Sequence, residues 1–225
     1  MVAVKKMRMR KAAAAADAAS TVAYLQATVD AANAASYTFA SQNLGTADAD
    51  RTIVVFVGSR ASGATAFNVS SVTVAGVTAT SVVQQSVTSA SASLCALYAV
   101  DLPTGTSGDV VVTPNRSAVR CGIAVFRCTG ISTTANDTAT DSQVSASTAL
   151  ALSVDTTADG IVIGGAFNGA NVENAWANVT ERFDGVAESS RFTVASDEYA
   201  TAQTVAATVT PTSSWTEGVG VAAAW

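Results

Sequence analysis

The chain has 225 residues, 49% of them apolar and only 13% charged, with twelve lysines and arginines against seventeen acids and no histidine. An apolar fraction this high at a net charge of −5 excludes a disordered chain, and the missing imidazole excludes Ser-His-Asp and Cys-His catalysis and His-ligated metals. The uncharged run 61–100 is broken throughout by Ser, Thr, Asn and Gln, which excludes a continuous membrane-crossing span.

Charge divides the chain in two. Lys5, Lys6, Arg8, Arg10 and Lys11 all fall in the first eleven residues; the remaining 214 carry seven arginines, no lysine and every acid. Residues 1–20 are therefore set apart as a basic, Ala-rich N-terminal arm and 21–225 as the β-domain. Lys11–Ala19 has the composition for two helical turns, too short to stand alone in water. The alternating VAVKKMRMR equally suits an extended segment that adds to a neighbour's sheet edge. The basic start followed by Ala12–Ala16 imitates a secretion signal, but Asp17 interrupts it and alanine is weakly apolar, so synthesis and assembly in the cytoplasm are expected. The five cations have three readings: docking on an acidic protein surface, phosphate neutralisation on nucleic acid, or a solvated tail. The acidic body favours docking and argues against nucleic acid.

A period of two begins at Thr21. Short β-branched or aromatic runs follow at Tyr37–Ser41, Arg51–Gly58, Phe67–Ala75, Val77–Val87, Leu94–Leu102, Asp109–Thr113 and Val119–Cys128, bounded by Gly, Pro, Asn, Asp or Ser. Gly76 reads as a tight hairpin turn and Pro103–Asp109 as a second turn. Thr129–Thr148 lacks periodicity and is expected to be a long crossing loop. A second set of strands spans Ala149–Asp155, Gly160–Phe167, Ala175–Phe183, Arg191–Ser196, Thr204–Thr210 and Gly218–Trp225. It echoes the first: DRTIVVFVG returns as DGIVIGGAF, and DVVVT followed by AVRCGIAVF returns as TVAATVT followed by EGVGVAAAW. The expected fold is all-β, a jelly-roll-like antiparallel β-sandwich of about twelve strands. Two similar halves, about 21–130 and 149–225, would be joined by the Ser/Thr/Asp-rich loop and packed together as one sandwich, because neither half alone could bury both its faces. Val54, Phe56, Val72, Val74, Leu97, Val111, Ile123, Val125, Ile161, Ile163, Val205 and Val221 are the expected core. Trp225 closes an alternating strand and is expected to be packed, in its own core or against a neighbour.

Little in the sequence suggests chemistry. Cys95, Cys121 and Cys128 have no metal-binding spacing and read as buried thiols, with Cys121 and Cys128 on opposite faces of one strand. GSRASG at 58–63 follows a strand and precedes no helical pattern, which argues against a phosphate-cradling loop. Glu181 and Asp184, with Glu188, lie near Trp176 and Phe183, as acids and an aromatic would at a sugar site. Solvated charges at a strand end are the plainer reading; passive glycan contact through Trp176, Glu181 and Asp184 ranks above hydrolysis. Asn136, Asp137 and Asp141 could offer oxygens to calcium, but their spacing fits no calcium loop. No cofactor and no metal are expected.

The segments YTFASQNLGTADADRTIVVFVGSR (37–60), DLPTGTSGDVVVT (101–113), VRCGIAVFRCTG (119–130), the later TERFDG and the final strand ending in Trp together resemble a group of all-β proteins encoded among the structural genes of tailed bacteriophages. The resemblance covers about 21–225, leaves out the basic arm and brings no catalytic signature. It implies a virion component such as a head decoration, spike, fibre base or tail appendage. Its partners would be other virion proteins and copies of itself. The expectation is thus a non-enzymatic structural protein of a phage particle, assembled in the bacterial host cytoplasm. The alternative is a receptor- or glycan-binding module of a tail fibre or spike.

Overall fold

The run RTIVVFVGS has no polar alternation, and in the computed structural model, which describes residues 19–145 and 148–225, every one of its residues is buried within β3 (Arg51–Ser62). A strand without a polar face must be covered on both sides. The same holds for most of β7 (Ser91–Asp101) and β9 (Arg120–Thr129), and for all of β12 (Gly160–Asn168) and β17 (Glu217–Ala224). By contrast β11 (Leu150–Thr156) alternates strictly between buried and exposed. The two patterns separate inner sheets from outer ones.

In the first half, β1 (Thr21–Asp30), β9, β3, β7 and β6 (Thr80–Thr88) form a five-stranded sheet in that order. β2 (Tyr37–Asn43), β8 (Ser107–Pro114), β4 (Val69–Val74) and β5 (Val77–Thr78) form the sheet that covers its outer face. The second half repeats the plan. β10 (Asp137–Val144), β17, β12, β15 (Ser190–Tyr199) and β14 (Glu181–Ala187) form five strands; β11, β16 (Gln203–Pro211) and β13 (Asn174–Ala177) cover them. Antiparallel pairing in the first half is nested, β1 with β9, β2 with β8, β3 with β7 and β4 with β5. This is one long hairpin wrapped across two sheets, the jelly-roll plan. The second half nests β10 with β17, β11 with β16 and β12 with β15. Among the described residues it has no counterpart of the innermost β4–β5 pair, so the outer edge of β13 carries no strand.

The halves do not share one sandwich as expected. Each builds its own, and the two five-stranded sheets then stack face to face, giving four layers and three apolar cores. The first core holds Tyr37, Phe67, Val72 and Ile123. The middle one holds Phe56, Leu97, Phe126, Phe167, Phe192 and Trp225. The third holds Leu150, Leu152, Val162, Val205 and Trp215. The reason is the fully apolar inner strands, which have two faces to bury. Of the expected core residues all but Val111 are buried; Val110 and Val112 take the inward parity of that strand.

The central contact is reciprocal. Counted from the strand starts, Phe56 and Gly165 are each the sixth residue of β3 and β12, and Gly58 and Phe167 are each the eighth. A Cβ on Gly165 would lie 2.2 Å from the Phe56 ring, and a Cβ on Gly58 would lie 2.7 Å from the Phe167 ring. Each half thus seats its phenylalanine where the other half has glycine. Phe192 does the same over Gly122, and it stacks on Phe56 with ring centroids 6.0 Å apart.

The stretch Thr129–Thr148, expected to be a loop, contains β10. Its alternation is carried by polar groups, which is why no apolar period shows. Asp137 and Asp141 accept hydrogen bonds from the outward N–H groups of Asp155 and Ala151 on β11, each at 2.8 Å. On the opposite flank Asp184 of β14 accepts from the N–H of Asn174 on β13 at 3.2 Å. Carboxylates on both edge strands of the five-stranded sheet therefore cap the edges of the three-stranded one. Asp141→Ala should cost about 1.5 kcal/mol, the range for a hydrogen bond to a charged group. It should also speed hydrogen exchange at the Ala151 amide; an unchanged exchange rate there would show that the edge is held by something else.

Candidate functional site

The sequence points to Trp176, Glu181 and Asp184, and the fold brings all three to the open flank between β13 and β14. Trp176 faces inward from β13, its ring over Gly164, where a Cβ would lie 2.9 Å from it. Its indole N–H donates to Thr193 Oγ1 at 2.8 Å, and Thr193 in turn donates to the Phe183 carbonyl at 2.9 Å. Opposite, Glu181 pairs in register with Ala195 and Asp184 with Thr193, so both acids share the face that looks toward β13. Asp184 is engaged twice, by the Asn174 N–H and by Arg191 Nε at 2.8 Å. Glu181 is exposed; partial desolvation and the nearby Asp184 charge raise its pKa, against the pull of Arg191. The indole N–H and Asp184 are therefore spent within the protein, and a sugar would have to compete with these bonds. The Asn174 side chain adds an amide on the same flank that is buried and without a hydrogen-bond partner.

The arm residues Lys5, Lys6, Arg8, Arg10 and Lys11 lie outside the described residues. Its root is defined. Ser20 donates its N–H to the Asp159 carbonyl and its hydroxyl to the Gly130 carbonyl, both at 2.9 Å, and the Val22 N–H donates to Glu198 at 2.8 Å. The root thus rests on the second half, beside Asp159 and Glu198. The charge behind it is uneven. Residues 19–130 hold five arginines and five acids, whereas residues 131–225 hold two arginines and eleven acids.

A third locus escaped sequence reading. Arg60 and Arg120 are register partners at the far ends of β3 and β9, where both reach toward the second half. Arg60 bonds Ser91 Oγ through Nε and Nη2 and the Gly169 carbonyl through Nη1. It stands 3.6 Å from Glu217, a carboxylate with no solvent exposure. Ser89 donates its hydroxyl to Glu217. Arg120 reaches the turn between β14 and β15. Its Nη1 bonds Ser189 Oγ at 2.5 Å and its Nη2 pairs with Glu188 at 3.1 Å, while its Nε is buried without a partner. Both arginines line a pocket of about 300 Å³ with Ser62, Gly63 and Ser91. No local motif announces this cluster, because its members come from six separate turns and strand ends.

The three thiols are buried, and desolvation pushes each well above its usual pKa. Cys121 belongs to the first core and Cys128 to the middle one, on opposite faces of β9. Among the described residues no group of His, Cys, Asp and Glu is placed to hold a metal ion, and no helix is long and apolar enough to cross a membrane.

No protein-family model matches the chain, and no curated protein matches it. Among solved structures, the C-terminal domain of the AgI/II polypeptide BspA of Streptococcus agalactiae is similar over 76% of this chain and 75% of that one, at 9% identity and a TM-score of 0.20.

Proposed function

We propose that this chain is a non-enzymatic structural component of a bacteriophage particle, attached to neighbouring subunits by its basic N-terminal arm. The observation that carries this reading is the partition of charge. Five cations stand in the first eleven residues, the first half of the body is neutral, and the second half has an excess of nine acids. A cationic segment on one copy and an acidic surface on its neighbour attract each other and fix orientation. The four-layer body, with its thiols buried and Asp184 of the open flank engaged internally, supports a building element over a catalyst. The resemblance of residues 37–60, 101–113 and 119–130 to phage structural proteins supports the virion as the setting.

Deleting residues 1–11 should leave the melting temperature of the body nearly unchanged and abolish incorporation into particles. Attachment of the intact chain should weaken as salt rises without vanishing, since charge steers the encounter and apolar contact from Val2, Val4, Met7 and Met9 holds it. Normal incorporation of the truncated chain would overturn the docking role.

A further inference from the structure

We infer that the pocket between Arg60 and Arg120 is a binding site for an oxyanion group, a phosphate, sulfate or carboxylate borne by a ligand. The geometry at Arg120 carries the argument. A guanidinium offers its Nε–H and Nη2–H as a parallel fork that matches two oxygens of one oxyanion. Here the fork is half filled. Glu188 engages Nη2 alone, and Nε is buried with nothing to donate to. Arg120 is only 9% exposed, so an idle donor there has lost water without gaining a partner.

Glu188 is the replaceable member. Its side chain is 61% exposed, and its backbone sits at φ +58°, a left-handed conformation unfavourable for a residue with a Cβ. It acts as an internal stand-in, presenting one carboxylate where an external oxyanion would present two oxygens to Nε and Nη2. Around it are further donors. Ser189 and Ser190 hydroxyls lie within 2.5 and 3.3 Å of Arg120 Nη1, and Ser91 lines the pocket beside Arg60. Arg116 stands behind the wall, its guanidinium donating to the carbonyls of Ser62 and Gly63. Arg60 faces Glu217 and Arg120 faces Glu188, so with Glu188 displaced the positive charge of Arg120 is left uncompensated. This recognition is by guanidinium groups rather than a backbone cradle, consistent with GSRASG being a strand end.

The test titrates inorganic phosphate into the intact protein at constant ionic strength made up with chloride, following the arginine Nε–Hε signals by NMR. The Arg120 signal should shift saturably. Glu188→Gln, an exposed change that leaves the cores untouched, should bind phosphate severalfold more tightly, and Arg120→Gln should lose binding. Should Arg120→Gln fail to fold, the comparison of Glu188→Gln with the unmodified protein still decides. Equal affinity in those two, or a shift that chloride alone reproduces, would overturn the inference. Neither outcome touches the arm, so the structural role stands or falls separately.

Discussion

Gly165→Ala should destabilise the protein by about 3 kcal/mol, although it adds a single methyl group. That methyl would stand 2.2 Å from Cε2 and 2.3 Å from Cδ2 of Phe56. The ring cannot step aside, since Phe56 is fully buried and stacked on Phe192. In a chain of this length the loss corresponds to a fall in melting temperature of about 10 °C. Phe56→Ala should cost about 4 kcal/mol for the opposite reason, an unfilled cavity over Gly165. The combination of Phe56→Gly with Gly165→Phe should recover most of the loss, because it only reverses which half supplies the ring. Urea unfolding of Phe56→Gly, Gly165→Phe and the exchange pair gives the coupling directly. If Gly165→Ala melts within a degree of the parent, the contact is looser than described and the cycle has no meaning.

Arg60→Met should be the second severe change, at about 4 kcal/mol. Glu217 has no exposure, its Oε2 has no hydrogen bond, and the guanidinium 3.6 Å away is the cation it faces. Removing Arg60 leaves a buried carboxylate uncompensated, which is what makes breaking such a pair costly; the intact pair itself need not be strongly stabilising. Arg60→Met combined with Glu217→Gln should therefore be markedly more stable than Arg60→Met alone. Chemical denaturation of the two variants checks this, and equal stabilities would mean that water or another cation already serves Glu217. Gly169 belongs to the same arrangement, since a Cβ there would meet Glu217 Oε2 at 2.3 Å.

The all-β class and the internal repeat were legible because β-branched residues at period two, cut by Gly, Pro and Asp, leave few alternatives. Layer number was also written in the chain. RTIVVFVG and IVIGGAF are unbroken apolar runs, the mark of strands buried on both faces, whereas ALSVDT alternates as an outer strand does. The expectation of one sandwich rests on neither half burying both its faces alone; the covering sheets β2–β8–β4–β5 and β11–β16–β13 supply each half with its own second layer. β10 was hidden because its inward positions are Asp137, Ala139 and Asp141, which serve as caps for backbone N–H groups and give no apolar period. The convergence of Trp176, Glu181 and Asp184 on one flank followed from their short separation in sequence. Arg60 and Arg120 are sixty residues apart and meet through the β3–β9 register, a long-range pairing that no local pattern encodes.

Every ladder of backbone hydrogen bonds in this body stays within its own half. Across the middle plane the strand faces meet through side chains: interlocked rings and glycines, the Arg60–Glu217 pair and the Arg120–Glu188 pair. Mechanically, that plane is a cleavage plane. Tension perpendicular to it is opposed by dispersion contacts, two ion pairs and a few scattered hydrogen bonds, with no strand ladder to break, and it can part the halves while leaving both sandwiches intact. A load directed along the strands instead shears whole ladders at once. The same protein is thus strong in one direction and separable in another, and the orientation in which it is gripped decides which of the two it shows.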